Sequence, residues 1–175
     1  MSFYTASFTY KFKYTGDSVF FAYSQPYTYS ELRDDLAMIE ADPDRGQYIT
    51  SKPLCMTLAG NSCDYLTITS KSKAPGVLEL NKRKAIIITG RVHPGETVGS
   101  HMMKGVLEFL TDPIKKEAKL LRENFVFKVI PMLNPDGVIN GNYRCSLAGC
   151  DLNRRWKNPS KLLHPTIYYT KKLVK

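Results

Sequence analysis

The sequence predicts an α/β fold on a largely parallel or mixed sheet, and three observations carry that prediction. Lys84-Ala-Ile-Ile-Ile-Thr-Gly90 is an unbroken apolar run, as expected of a strand covered on both faces. Residues 125–132 form a second run of the same kind. Between them, residues 97–110 repeat apolar side chains at helical spacing. Strand, helix, strand and then further helix is the order of an α/β domain.

Taken in order, residues 3–23 alternate aromatic and polar side chains (Phe8, Tyr10, Phe12, Tyr14, then Val19 to Tyr23) and read as two strands around a Thr15-Gly16-Asp17 turn. They are expected to be the end of an N-terminal β-domain over residues 1–26, with the α/β domain over 27–175. Ser30 is a plausible helix N-cap, with Glu31 placed favourably for the dipole. Leu32, Leu36 and Ile39 then share one helical face, and the helix should stop before Pro43. Residues 54–58 and 65–69 read as strands around a Gly60-Asn61-Ser62 turn. The central apolar strand runs into the turn Arg91-Val-His-Pro-Gly-Glu96. The helix after it should place Val98, Met102, Met103, Val106, Leu107, Phe109 and Leu110 on one side, with His101, Lys104 and Glu108 on the other. The strand at 125–132 ends in a strong turn signal, Asn134-Pro-Asp-Gly137. Ligands of α/β sheets collect where strands end, so both turns are candidates for that edge.

Composition narrows the class. No run of about 18 apolar residues is present, so no segment reads as a membrane span. The first residues lack the charged start and apolar stretch of a secretory signal. A soluble protein of a reducing, cytoplasmic compartment is the expectation. Cys55, Cys63, Cys145 and Cys150 have neither metal-finger nor disulfide-scaffold spacing, and read as reduced, partly buried thiols. The net charge is +9, from 25 Lys plus Arg against 16 Asp plus Glu. The excess sits late, in Arg154, Arg155, Lys157, Lys161, Lys171, Lys172 and Lys175. A solvated face, an acidic protein substrate and nucleic acid all fit such a segment, but no nucleic-acid motif accompanies it.

His93 and Glu96, at i and i+3 of a tight turn, can aim an imidazole and a carboxylate at one point, and both are good zinc ligands. The pair alone is weak, since His-x-x-Glu also arises on surface turns. Further on come Asn140-Gly-Asn-Tyr-Arg144 and Gly149-Cys-Asp-Leu-Asn-Arg-Arg-Trp156. Guanidinium and amide groups suit bidentate capture of a carboxylate. A metal that polarises a carbonyl, beside groups that hold a carboxylate, is equipment for cutting a C-terminal peptide bond.

These motifs, in this order, resemble the zinc metallocarboxypeptidases of the carboxypeptidase A type. More narrowly, His93-Pro-Gly-Glu96, Asn142-Tyr-Arg144, Gly149 to Trp156, Leu163 to Lys171 and the segment Val19 to Leu32 are similar to the cytosolic carboxypeptidases, a likeness over about residues 8–171. The resemblance implies the N-terminal half of a metallocarboxypeptidase-type α/β domain with a mixed sheet. It implies His93 and Glu96 as two of three ligands to Zn2+, and Asp151 as the acceptor for the other nitrogen of His93. It further implies Asn153 and Arg154 as ligands of the substrate's terminal carboxylate, and Arg144 as the group that stabilises the oxyanion. For Arg155 the favoured reading is an ordinary surface ion pair.

The family's third ligand, a histidine, and its general base, a glutamate, lie in segments the sequence does not contain. His101 reads as solvent-exposed, and His164 has no assignable ligand role. The 175-residue chain alone is therefore expected to have little or no peptidase activity, and a long apolar sheet edge is expected to be exposed. The implied substrates are acidic C-terminal tails bearing glutamates, such as those of polyglutamylated tubulin. The alternative is a non-catalytic module that binds acidic or microtubule-associated partners.

Overall fold

A computed structural model describes residues 5–174. Helix α1, Tyr29–Ala41, is followed by a single turn of helix, α2, Pro43–Gly46. Strands β1, Ile49–Met56, and β2, Ser62–Ile68, form a hairpin; β3 is Lys84–Thr89. Helices α3, Val98–Thr111, and α4, Lys116–Asn124, lead to β4, Phe125–Ile130. Short α5, Pro135–Ile139, and α6, Pro165–Val174, complete the fold, with single 3₁₀ turns at Leu80–Lys82 and Leu152–Arg154.

The four strands make one mixed sheet in the order β1-β2-β4-β3. β3 runs parallel to β4, and the other pairs are antiparallel. The parallel pair is joined by α3 and α4, the crossover that parallel strands require. Alternation then divides the side chains. Leu66, Ile68, Phe127 and Val129 point to one face, where they are buried against Leu32, Leu36 and Ile39 of α1 and Met103, Leu107 and Leu110 of α3. Cys63 and Ile130 point to the other face, against Ile167 of α6 and Leu152. The α/β class and the mixed sheet are as expected.

Several local expectations are corrected. Residues 5–28 form no strands. The Thr15–Gly16 turn is present, with Gly16 at φ +76°, and Phe21 touches Phe8 and Tyr10 across it at 5.0 and 5.5 Å between ring centroids. A strand needs a neighbour for its backbone groups, and no ladder joins the two arms. Residues 3 and 4 of the expected strand lie outside the described residues. Helix α1 is capped two residues earlier than expected, by Thr28. Its hydroxyl accepts from the Glu31 N–H at 3.1 Å, while Glu31 accepts from the Thr28 N–H at 2.6 Å, a capping box. The hairpin strands are longer, because β1 already starts at Ile49.

Among the described residues β3 is not covered on both faces. It is the sheet edge, and its residues are half-buried or exposed. Val98 and Met102 of α3 are likewise 66% exposed rather than part of the core stripe. The expected apolar edge is therefore open along β3 among the described residues. The Asn134-Pro-Asp-Gly137 signal does not make a simple turn: it starts α5, with the Asn134 side chain accepting from the Gly137 N–H at 3.0 Å and Pro135 at the first helical position. No helix is long and apolar enough to cross a membrane, among the described residues.

Candidate zinc and carboxylate site

The turn at the end of β3 is held from several directions. Arg91 leaves the strand with φ +48°, a left-handed conformation unfavourable for a side chain of that size. What holds it there is its own guanidinium. Buried, it donates to the Pro94 carbonyl at 2.8 Å, the Tyr27 carbonyl at 3.1 Å and Ser100 Oγ at 2.7 Å, tying the turn to the starts of α1 and α3. Asn134 buttresses the other side. Its amide donates to the Val92 carbonyl at 3.3 Å while its oxygen caps α5. Gly137 is required there, since a Cβ would overlap Pro94 Cγ and stand 2.8 Å from the Asn134 side chain.

On this frame His93 is buried, at 7% exposure. Its Nε2 lies 3.0 Å from Asp151 Oδ1, and its Nδ1 lies 3.1 Å from Glu96 Oε1. Asp151 is the hub of the site. Its Oδ1 also accepts the Asn153 N–H at 2.8 Å, and its Oδ2 accepts from both Nε and Nη2 of Arg144 at 2.8 Å. Desolvation pulls the Asp151 carboxyl upward, but the hydrogen bonds from Asn153 and His93 and the charge of Arg144 outweigh it and hold it below the ordinary carboxylate range. An ionised carboxylate only accepts, so Nε2 of His93 carries the hydrogen and Nδ1 presents a lone pair.

That lone pair then faces the carboxylate of Glu96, with no hydrogen between two acceptors unless the ring is protonated. A cation is what such a pair suits. Two donors held at about 2.0–2.1 Å from a tetrahedral zinc lie about 3.3 Å apart, close to the spacing here. The donor set thus fits zinc, but in part. Among the described residues no group of three His, Cys, Asp or Glu side chains gathers around one point. His101 is exposed, with its ring against Tyr27 and Nε2 3.4 Å from the Gln25 carbonyl. His164 Nδ1 accepts the Ser160 N–H at 3.0 Å at the start of α6, and burial followed by the charge of Arg155 lowers its pKa.

Asn153 and Arg154 stand on the 3₁₀ turn that Asp151 caps. Both are exposed. Asn153 Oδ1 accepts the Trp156 indole N–H at 3.0 Å, which leaves its amide N–H groups outward, and Arg154 makes only a 3.5 Å contact to the Asn153 carbonyl. Arg144, 42% exposed in its side chain, has Nη1 3.9 Å from Glu96 Oε1, so it spans the His93–Glu96 turn and Asp151. Arg155 forms no ion pair among the described residues. His93, Glu96, Arg144, Asp151 and Asn153 are thereby linked directly, with Arg154 adjacent.

A match to the zinc carboxypeptidases covers residues 38–166. The chain belongs to the zinc carboxypeptidase family. Cytosolic carboxypeptidase 1 of Xenopus laevis is 50% identical over 177 residues, which is 99% of this chain and 14% of that protein. Cytosolic carboxypeptidase 2 of Danio rerio is 49% identical over 98% of this chain and 23% of its own length. The chain thus spans less than a quarter of either relative. A metallo-carboxypeptidase from Burkholderia cenocepacia superposes with a TM-score of 0.71 at 27% identity, over 85% of this chain and 38% of that one. The α/β class expected from sequence agrees with that fold, and the family is one of metal-dependent hydrolases.

Sequence reasoning missed three groups that position the site. Arg91 reads in the sequence as a turn residue, and the one signal it carries is a basic residue just past an apolar strand. Asn134 reads in the sequence as turn chemistry and is also the buttress of Val92. Asp136, buried at 6% exposure, accepts from Thr57 Oγ1 at 2.5 Å, the Ala59 N–H at 3.0 Å and Asn61 Nδ2 at 2.8 Å, fastening the β1–β2 loop to α5. Nothing local marks that contact, because its partners lie more than 70 residues away.

Proposed function

We propose that this chain provides the metal turn and the carboxylate grip of a zinc metallocarboxypeptidase that removes C-terminal residues, glutamates among them, from acidic protein tails in the cytoplasm. The observation that carries this reading is the Asp151 hub, which orients His93 toward Glu96 and sits on the same turn as Asn153 and Arg154. In this reading His93 Nδ1 and Glu96 hold the zinc. Bound there, the metal would polarise the scissile carbonyl and activate water. Asp151 keeps the imidazole in the tautomer that leaves Nδ1 free. Asn153 and Arg154 receive the substrate's terminal carboxylate, which places the last peptide bond at the metal turn. Arg144, already within reach of Glu96, stabilises negative charge on the carbonyl oxygen as it develops.

Two donors bind zinc far more weakly than three, so the chain by itself is expected to hydrolyse little. Acidic tails, with polyglutamylated tubulin as the model case, fit the positive charge of the C-terminal segment, which steers such partners by attraction. Calorimetry with an oligoglutamate peptide tests the grip. The peptide with a free C-terminal carboxylate should bind more tightly than its C-terminal amide, and Arg154→Ala should remove the difference. Equal binding of acid and amide would sink the carboxylate-site reading and favour a non-catalytic module that reads acidic charge alone. Stoichiometric zinc together with hydrolysis of the peptide by the purified chain would overturn the expectation of inactivity.

A further inference from the structure

Tyr143 lies against the turn that carries His93 and Glu96 and directly precedes Arg144, and the roles above leave it unused. Its carbonyl accepts the N–H of Gly95 at 2.7 Å, inside the metal turn between His93 and Glu96. Its ring covers the same glycine: a Cβ on Gly95 would overlap Tyr143 Cδ2 and stand 2.9 Å from the Tyr143 carbonyl oxygen. Gly95 is at an ordinary φ, so this glycine answers to the tyrosine ring rather than to a left-handed backbone. The next residue is Arg144, whose guanidinium reaches Asp151 and Glu96. One residue therefore fixes the height of the metal turn and the root of the arginine beside it.

The ring is seated from outside as well. Tyr23 meets it edge-on, with centroids 5.8 Å apart and planes at 89°. The Tyr23 hydroxyl pushes the Tyr143 phenol above its ordinary range. The segment carrying Tyr23 is anchored one residue later, where Ser24 Oγ and Thr97 Oγ1 share a hydrogen bond at 2.9 Å at the far end of the metal turn. Tyr143 is still 58% exposed, so burial in the core is not what places it here.

We propose that Tyr143 is a positioning residue, a clamp on Gly95 that sets the approach of His93 to Glu96 and the reach of Arg144, with Tyr23 as its backing. The proposal rests on the reading of His93 and Glu96 as metal donors. A ring packed against a glycine between two donors removes the freedom of the turn to open, and a metal site loses affinity when its donors must first be brought together. The phenol oxygen has no part in this, so phenylalanine should serve.

The test compares the chain with Tyr143→Ala and Tyr143→Phe, using Zn2+ as the probe. Three quantities are read: zinc affinity by calorimetry, exchange of the Gly95 amide, and the ring-nitrogen NMR signals of His93, the last two without metal. Tyr143→Ala should weaken zinc about tenfold, speed Gly95 exchange about tenfold and shift the His93 signals, while exchange in β3 and β4 stays unchanged. Tyr143→Phe should restore all three. Unchanged Gly95 exchange and His93 signals in Tyr143→Ala would overturn the clamp. So would a rise in exchange spread evenly over the sheet, which would mean only general loosening. Absence of zinc binding in the unaltered chain would instead sink the metal reading, and the clamp would still be judged on the two metal-free signals.

Discussion

The turn of His93 and Glu96, the metal turn of the proposed function, and the turn of Asn153 and Arg154, its carboxylate turn, are joined through Asp151, yet they are built in opposite ways. At the metal turn nearly every polar group has a partner inside the protein: Arg91 holds Pro94, Asn134 holds Val92, Tyr143 holds Gly95 and Asp151 holds His93. On the carboxylate turn the Asn153 amide and the Arg154 guanidinium are left exposed and nearly unpartnered. The difference suits what each would meet on the proposed function. A small cation with short bonds rewards donors fixed in advance, whereas a peptide carboxylate needs donors not already committed elsewhere.

Substitutions should separate the two by how far their effects spread. The largest effect is expected behind the metal turn. Asp136→Ala would leave Thr57, the Ala59 N–H and Asn61 without their acceptor, and stability should fall by about 3 kcal/mol in urea unfolding. A change under about 0.5 kcal/mol would mean that these partners find water instead, and that the frame is looser than it looks.

Asp151→Asn comes next. It keeps the shape but no longer forces Nε2 of His93 to be the donor, and zinc affinity measured by calorimetry should fall by about ten- to a hundredfold. The same carboxyl gives a pH dependence. Its folded pKa lies below the unfolded value, so the stability it contributes is present above about pH 4 and is lost as pH falls through the lower folded pKa. Acid unfolding of the Asp151→Asn protein should accordingly lack part of the fall below pH 4 that the unaltered chain shows. Identical acid limbs would mean that the carboxyl is not held down in the folded state.

The smallest change in stability belongs to the carboxylate turn. Arg154→Ala should leave unfolding within about 0.5 kcal/mol of the unaltered chain, while abolishing the preference for a free peptide carboxylate. A loss of several kcal/mol would show that Arg154 has an internal partner and erase the contrast between the turns.

Legibility from sequence follows the same division. His93 and Glu96 could be noticed from their spacing alone, whereas Arg144, Asp151, Asn153 and Arg154 took their roles from the family resemblance that their local motifs carry. The central strands and α3 were legible because periodicity is local too. The buttresses were not, since Asp136 meets Thr57 and Arg91 meets Tyr27 across long loops that no window spans. Residues 5–28 misled in the other direction. Alternating aromatics describe a surface able to pair, but a strand exists only where a neighbour supplies the other half of each hydrogen bond. The exposed outer face of α3 has the same cause. Apolar spacing identifies a stripe, and only the arrangement of the sheet decides which of its residues are covered.

Asp151 has one further consequence, for how such a site can change over generations. The same two oxygens orient the His93 imidazole, cap the turn that presents Asn153 and Arg154, and anchor Arg144. On the function proposed above, altering that residue would retune metal, substrate grip and oxyanion contact together, so none could drift alone through it. Variation is channelled instead to positions that carry a single task, such as Arg154. On that reading the strength of the carboxylate grip could change there while the turn of His93 and Glu96 stays as it is.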